Sequence, residues 1–295
     1  MPGPFFTVIV STYNRRDMLP RALKSILTQT FTDFELLVID NGSTDDTRDV
    51  VAGFNDHRLK YILNPRPSSS CDGPRNLGID MARGGFITFL DDDDLWYPQR
   101  LEKVRQAFIS HPQVQAVCHN ENRMVDGNFA GCIKHGPIPD GLLEVLLYQR
   151  NCLSPCAVAV KAEVLRKLGG FDLRPEFSAA ADYDMWLRMA ESGVAVHFIE
   201  EPLGEFFFTG CNGCVTDCDF DARVAYIVES HLLRHEKKPL YRISAKGAGR
   251  LFWMYLAAGR SLLKGRKIFK ALRYIGRAGL FVVLHPMLLF KKILK

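Results

Sequence analysis

Short apolar runs and amphipathic stretches alternate along the first two hundred residues. Residues 6–10, 34–39, 59–63 and 86–90 are rich in Phe, Val, Ile and Leu without regular polar alternation, the pattern of strands buried on both faces. Between the first two, Leu19, Leu23, Ile26 and Leu27 recur at helical spacing from about Asp17 onward, with Arg15, Arg16, Arg21 and Lys24 left for the outer face or a ligand cleft. Ser43 or Thr44 predicts the cap of a second helix reaching about Phe54, with Asp45 and Asp46 in its first turn. A third helix is expected over 73–83, ending at Gly84. Strands that alternate with helices imply a parallel, right-handed, doubly wound sheet.

The central stretch is Phe86-Ile87-Thr88-Phe89-Leu90-Asp91-Asp92-Asp93-Asp94, where a buried strand runs straight into four carboxylates. In open α/β sheets the carboxyl ends of strands hold ligands. Adjacent carboxylates repel one another, and a set of oxygen donors is suited to a hard divalent cation such as Mg²⁺ or Mn²⁺. Such an ion in turn points to a phosphate-bearing substrate. The same acids also suit a solvated turn capping the next helix, and Asp94 fits that role. Beyond them the pattern predicts a helix from Tyr97-Pro98 to about Ser110, a strand over 114–119 and a loop or hairpin over 120–141. A strand over 157–160, a short helix over 163–168, a helix from Asp182 to Ser192 and a strand over 194–199 complete the body.

Composition narrows the class. With 295 residues, 47% hydrophobic and 24% charged, the chain can bury a substantial core, which excludes a disordered or fibrous protein and fits one large domain with an appendage. Pro2-Gly3-Pro4 leads directly into a strand with no apolar leader, so a cytosolic location is expected. Eight cysteines are too sparse for a disulfide scaffold and agree with a reducing compartment. Cys211, Cys214 and Cys218, with Cys152 and Cys156, could make a thiolate metal site, but free thiols in a loop fit their spacing better. The histidines are scattered singly, and none is assigned to catalysis.

Charge is divided unevenly. Residues 1–236 hold 23 Lys and Arg against 33 Asp and Glu, whereas residues 237–295 hold 15 Lys and Arg and no acid. Basic residues at 260, 264, 266, 267, 270, 273 and 277 interleave with Leu262, Leu263, Ile268, Phe269, Leu272 and Ile275, the pattern of a basic amphipathic helix on anionic lipid. The alternative is that these helices pack on the body or on a partner subunit. The apolar run over 278–290 contains His285 and Pro286 and is too short to span a bilayer. Apolar residues are too dense here for a nucleic-acid arm, so no nucleic-acid partner is expected.

Several motifs in order carry a family resemblance. Val8-Ile9-Val10-Ser11-Thr12-Tyr13-Asn14, Val38-Ile39-Asp40-Asn41-Gly42-Ser43-Thr44-Asp45, Arg75-Asn76, the acidic stretch at 86–94, Gly170-Phe171-Asp172 and Asp182-Tyr183-Asp184-Met185-Trp186-Leu187-Arg188 together resemble glycosyltransferase family 2 over roughly residues 5–210. The resemblance implies a GT-A fold: an α/β, Rossmann-like, mostly parallel sheet flanked by helices, here followed by a basic amphipathic helical tail. It implies a catalytic domain over 1–210, with a nucleotide-sugar half to about 110 and an acceptor half over about 111–210, and a Cys-containing loop and membrane-associating tail over 211–295.

The implied activity is a metal-dependent, inverting transfer from a nucleotide-sugar donor, with UDP- or dTDP-sugars favoured, to an acceptor hydroxyl of a glycan or lipid-linked substrate in cell-surface polysaccharide or glycolipid synthesis. The cofactor is Mn²⁺ or Mg²⁺. Carried over by residue, Ser11 and Tyr13 flank the base, and Asp40 accepts from its imide N–H. Arg75 faces the phosphates, or is a surface helix arginine. Asp91 and Asp92 hold the ribose and the surroundings of the metal, Asp93 is the direct metal ligand, and Asp182 is the base that activates the acceptor. Asp182 could instead cap its helix, and Trp186 could be core or sugar-stacking. The expected place is the inner face of the cell membrane, peripherally bound through residues 240–295. Thr209 stands where the family often has a metal-binding His, and no Gln-x-x-Arg-Trp motif of processive synthases is present. Two other classes remain open: a sugar-phosphate nucleotidyltransferase, for which the turn after the first strand lacks the Gly-rich loop, and a non-catalytic nucleotide-sugar binding module.

Overall fold

The computed structural model describes residues 3–139, 141–208 and 217–284. Its strands join one nine-stranded sheet in the order β3-β2-β1-β4-β8-β6-β9-β5, with β7 paired to β6 at the side. β1 (Phe6–Thr12) and β2 (Phe34–Asp40) are buried at every position, their mainly apolar residues joined by Thr7, Glu35 and the polar strand ends Ser11, Thr12 and Asp40. β3 (Leu59–Leu63) and β4 (Phe86–Asp91) extend this half in parallel register. Helices α1 (Leu19–Leu27), α2 (Thr47–Ala52), α3 (Asp72–Met81) and α4 (Arg100–Ser110) accompany them. Leu19, Leu23 and Ile26 of α1 are fully buried against Val8 and Leu36, each contributing about 1.5–3 kcal/mol.

The second half of the sheet is mixed. β8 (Val158–Lys161) runs antiparallel to β4 and to β6 (Ala116–Val125), while β9 (Val196–Phe208) is parallel to β6. β5 (Leu95–Trp96) pairs antiparallel with the far end of β9, and β7 (Asn128–Ile133) makes the hairpin expected between residues 120 and 141. β9 is far longer than the strand expected over 194–199. Register shifts between His119 and Asn122 absorb Pro202 and let the pairing resume at Glu205.

The loops at the first turn also differ from expectation. Ser43 and Thr44 cap nothing: the Ser43 hydroxyl accepts from the Asn14 N–H at 2.9 Å, and the Thr44 N–H donates to Asn14 Oδ1 at 2.7 Å. Asp45 and Asp46 instead hold the Arg16 backbone and guanidinium. α4 begins three residues after Tyr97, with the fully buried Arg100 lying 3.9 Å over the Trp96 ring and donating to Thr88 and His119.

By contacts the chain forms two compact units whose segments interleave. The first takes residues 1–139, 152–173 and 188–209, including the whole sheet and α6 (Ala162–Lys167). The second joins residues 140–151 and 174–187, numbered within the expected catalytic domain, to residues 210–295. Within it lie α5 (Leu142–Tyr148), the start of α7 (Ala181–Glu191), α8 (Phe220–Glu236), α9 (Ala245–Lys264) and α10 (Ile268–Leu284). The basic stretch 260–277 is not one helix. Arg266, at φ +57°, turns the chain between α9 and α10, which pack through Ala258, Leu262 and Ala271. His231 and Asp184 are buried and 3.0 Å apart, and Glu236 takes both the N–H and the hydroxyl of Ser244 at 2.6 Å. Among the described residues no helix is long and apolar enough to cross a membrane.

One buried carboxylate gives a pH test of the first unit. Burial raises the pKa of Glu35, but hydrogen bonds from the Arg83 backbone and guanidinium, Thr7 and Lys60 outweigh it and hold the group below its ordinary value of 4.5. A folded-state pKa that is depressed gives stability present above the unfolded value and lost as pH falls through the folded one. Glu35→Gln is expected to destabilise the protein by about 1–3 kcal/mol at pH 7, and the gap should close below pH 4.5. Urea unfolding of both proteins across that range measures it, and a pH-independent gap would refute the assignment.

Candidate active site

Register gathers the candidate residues of the first unit. Thr12 lies opposite Asp40 on β2, and Ser11 lies opposite Asp91 on β4, so the carboxyl ends of three neighbouring parallel strands deliver them to one edge. Ser11 is buried, and Tyr13 just beyond it is 53% exposed, leaving its ring open as a flat face. Asp40 is almost completely buried. Its Oδ1 accepts from the Gly42 and Ser43 N–H groups at 3.1 and 2.7 Å, and its Oδ2 from the Tyr61 hydroxyl at 2.7 Å. Of the roughly four acceptor positions on a carboxylate, one is left. Burial and the Asp40 carboxylate push the Tyr61 pKa up to about 12. Gly42 at φ +93° makes the tight return that presents its N–H to Asp40, a conformation unfavourable to other residues.

Arg75 is no surface arginine. It is 5% exposed and reaches Asp91 Oδ1 at 2.5 Å and Asp72 Oδ1 at 3.6 Å. α3 comes this close because position 78 is Gly: a Cβ there would lie 2.7 Å from Ile9 on β1. Asn76, the next residue, exchanges hydrogen bonds with the Phe171 backbone at 2.7 and 2.8 Å, and the Arg75 guanidinium sits 5.7 Å from the Phe171 ring. The Arg75-Asn76 and Gly170-Phe171 motifs, far apart in sequence, are thus one buttress for an arginine aimed at the acids.

The four acids separate into an inner member and a rim. Asp91, Asp92 and Asp93 are half-buried, whereas Asp94 is 1% exposed. Burial raises the Asp92 pKa to about 7, helped by Asp93 and Asp91, while Arg15 opposes. The Thr12 hydroxyl is beside Asp92 but short of hydrogen-bond alignment. Burial and Asp91 likewise raise Asp93, with Arg15 and Arg21 opposing. Asp94 does not cap a helix. It accepts from the Phe207 N–H at 2.8 Å and the Cys156 thiol at 3.2 Å, and burial holds its carboxyl far above the ordinary range.

Among the described residues, Asp91, Asp94 and Cys156 form a group whose ligand atoms lie within 4.8 Å of one another, and Asp93 is not in it. The cluster fits a hard cation only at its carboxylate rim. Burial keeps the Cys156 thiol protonated, and a soft sulfur is a poor partner for Mg²⁺ or Mn²⁺. Burial and the charges of neighbouring acids push Asp92 and Asp93 up, and a divalent ion at this rim would relieve that crowding.

Sequence reasoning missed Cys156 in this role, because its partners are some 62 residues earlier, and missed Phe207. Arg21 lies 3.7 Å over the Phe207 ring and donates to the Asp93 carbonyl. Asp182 stands in the first turn of α7, half-buried, while the residues that follow to Leu187, including Trp186, are buried. Trp186 is core, with no surface on which to stack a sugar. Thr209, Cys211 and Cys214 lie outside the described residues. Cys152 and Cys156 are buried, and Cys218 is flanked by Asp217 and Asp219.

Comparison with known proteins decides the family: the model of "Glycosyl transferase family 2" matches residues 7–169, more than half of the chain. The chain belongs to glycosyl transferase family 2. It is 33% identical to a putative colanic acid biosynthesis glycosyl transferase, WcaA, of Escherichia coli K12, over 63% of this chain and 66% of that one. It is 47% identical to a Campylobacter jejuni GalNAc(5)-diNAcBac-PP-undecaprenol beta-1,3-glucosyltransferase, over 31% of this chain and 30% of that one. The family 2 chain spans only about 30 to 66% of the length of these two relatives. Among solved structures, Staphylococcus aureus TarS 1–349 with UDP superposes with a TM-score of 0.57 at 19% identity, covering 87% of this chain and 80% of that one. A Pyrobaculum calidifontis mannosyltransferase with GDP-Man and Mn²⁺ gives 0.58 at 18% identity, covering 96% and 82%. At such identities the likeness establishes the fold, and the sheet flanked by helices is that of GT-A members of family 2.

Proposed function

We propose that the chain is a metal-dependent, inverting glycosyltransferase that moves a sugar from a UDP- or dTDP-sugar to a hydroxyl of a lipid-linked acceptor in cell-surface glycan synthesis. The observation that carries this reading is the convergence of Ser11, Asp40 and Asp91 at adjacent strand ends with a buttressed Arg75 and a rim of carboxylates. The names of relatives support the class of acceptor: the Campylobacter enzyme and an Escherichia coli glucosyltransferase, WfgD, 28% identical, are both named for diphosphoundecaprenol substrates.

In this reading the Tyr13 ring stacks on the base, and the remaining acceptor position of Asp40 takes the imide N–H that uracil and thymine share. Asp93, with Asp91 beside it, would hold Mg²⁺ or Mn²⁺, which when bound stabilises the negative charge of the departing nucleoside diphosphate. Arg75 holds Asp91 in place through their ion pair. Asp94, buried and bonded to Phe207 and Cys156, fixes the acidic turn to β9. Asp182 takes the proton of the acceptor hydroxyl as that oxygen attacks from the face opposite the leaving group, which inverts the anomeric carbon. The basic C-terminal helices rest on the anionic inner face of the membrane through residues 240–295.

A screen of nucleoside diphosphates and nucleotide sugars, with and without Mn²⁺ and with chelator, tests the donor assignment. Uridine and thymidine compounds are expected to bind about tenfold or more tightly than cytidine ones, because the cytosine N3 is an acceptor and would leave the buried carboxylate unpaired. Preference for cytidine would overturn the role given to Asp40, and turnover in chelator would overturn the metal.

A further inference from the structure

Basic residues of α8 and α10 surround a pocket of about 460 Å³ inside the second unit, and none of the site residues assigned above is in its lining. Lys270, Arg273, Tyr274 and Arg277 recur at helical spacing along one face of α10, and α8 supplies Arg223 and Tyr226. Carboxylates position three of the four cations. Arg223 pairs with Asp217, Lys270 with Asp219 at 3.5 Å, and Arg277 with Glu229 at 3.2 Å. Arg273 is exposed and has no ion pair among the described residues. Asp217, Asp219 and Glu229 each hold one of the other three cations, which leaves Arg273 as the lining cation without a paired carboxylate among the described residues.

The neighbouring face of α10 is of the opposite character. At about 100° per residue, Ile268, Phe269, Leu272, Ile275, Leu280 and Val283 fall on an arc beside the basic face, and all are exposed, Phe269 by 91%. A soluble phosphate would use only the pocket. A diphosphate diester on a long isoprenoid brings two negative charges for the cations and an apolar chain for the arc.

We infer that this pocket binds the diphosphate of a polyprenyl-diphosphate-linked acceptor, with the isoprenoid lying along the exposed arc of α10. The inference rests on the lipid-linked acceptor reading above and adds the residues that select the headgroup. Arg273 is the free cation that meets the diphosphate. Arg223 and Arg277, held by their carboxylates, frame the pocket on either side of it. Tyr226 and Tyr274 complete the lining between the cations.

The test is flotation of the full chain with phosphatidylcholine vesicles carrying a small fraction of long-chain polyprenyl diphosphate, compared with phosphatidylglycerol vesicles of equal surface charge. Arg273→Glu is measured beside Lys264→Glu, the same charge reversal at an exposed position outside the pocket. Wild type is expected to prefer the diphosphate vesicles by about tenfold or more, Arg273→Glu to lose the preference, and Lys264→Glu to weaken both vesicle types alike. Equal binding of both vesicles by wild type would overturn the pocket while leaving the membrane reading standing. Binding to neither would overturn both. Inorganic pyrophosphate that binds the lipid-free protein as tightly as the vesicles do would overturn the lipid in favour of a free phosphate ligand. UDP binding measured on the same samples separates these failures from failure of the donor site.

Discussion

Asp182→Asn is expected to lower sugar transfer by about 10²–10⁴-fold, the usual worth of a general base, while leaving affinity for the nucleotide sugar and its metal dependence nearly unchanged. The substitution is informative because Asn and Asp serve equally well at a helix start. Any capping that Asp182 provides to α7 therefore survives, and the loss reports the proton transfer. Single-turnover transfer and direct titration of UDP-sugar measure the two quantities separately. A drop in melting temperature or in donor affinity with turnover per bound donor preserved would make Asp182 a structural residue.

Asp93→Asn has the second large effect. Loss of a residue that merely orients a metal ligand costs about 10–100-fold in metal affinity, so removing a direct ligand should cost about 100-fold or more of the metal-dependent part of donor binding. Without metal the same change should leave thermal stability equal or improved, since it removes a charge crowded against Asp91 and Asp92. The pair of results distinguishes a ligand from a structural acid. Unchanged affinity for UDP in Mn²⁺ would transfer the ligand role to Asp91, whose Arg75 partner already orients it.

How much of this was legible depended on whether the determinant was local. β1, β2 and β4 could be read because strands buried on both faces must be apolar at successive positions, and the acids at 91–94 stood out because no core tolerates four of them. The division of labour among those acids could not be read. Asp94 was expected at a helix start, yet it faces inward because Cys156 and Phe207 reach it from distant segments. Arg75 was balanced between site and surface until Gly78 was seen to let its helix approach Ile9. β9 was cut short at Ile199, since Pro202 reads as a strand breaker and only pairing with β6 shows the register resuming beyond it. α5 and α8 fell outside the expected elements, because what orders them is mutual packing within the second unit. The basic amphipathic pattern of the tail was correctly seen as helical, but the turn at Arg266 is a backbone conformation that composition does not announce.

The interleaving of the two units has a consequence for the order of synthesis. The sheet has all of its strands once Phe208 has been made, so the first unit can close early. Residues 140–151 and 174–187 are by then long synthesised, but their helical partners between 210 and 295 are not. At about 5–20 residues per second on the ribosome, Val145, Leu146 and Tyr183 spend roughly 4–17 s without the segments that bury them. During that interval these two segments expose apolar side chains that belong to the core of the second unit. Growth temperature, translation rate and supply of chaperones should therefore affect the soluble yield of this chain.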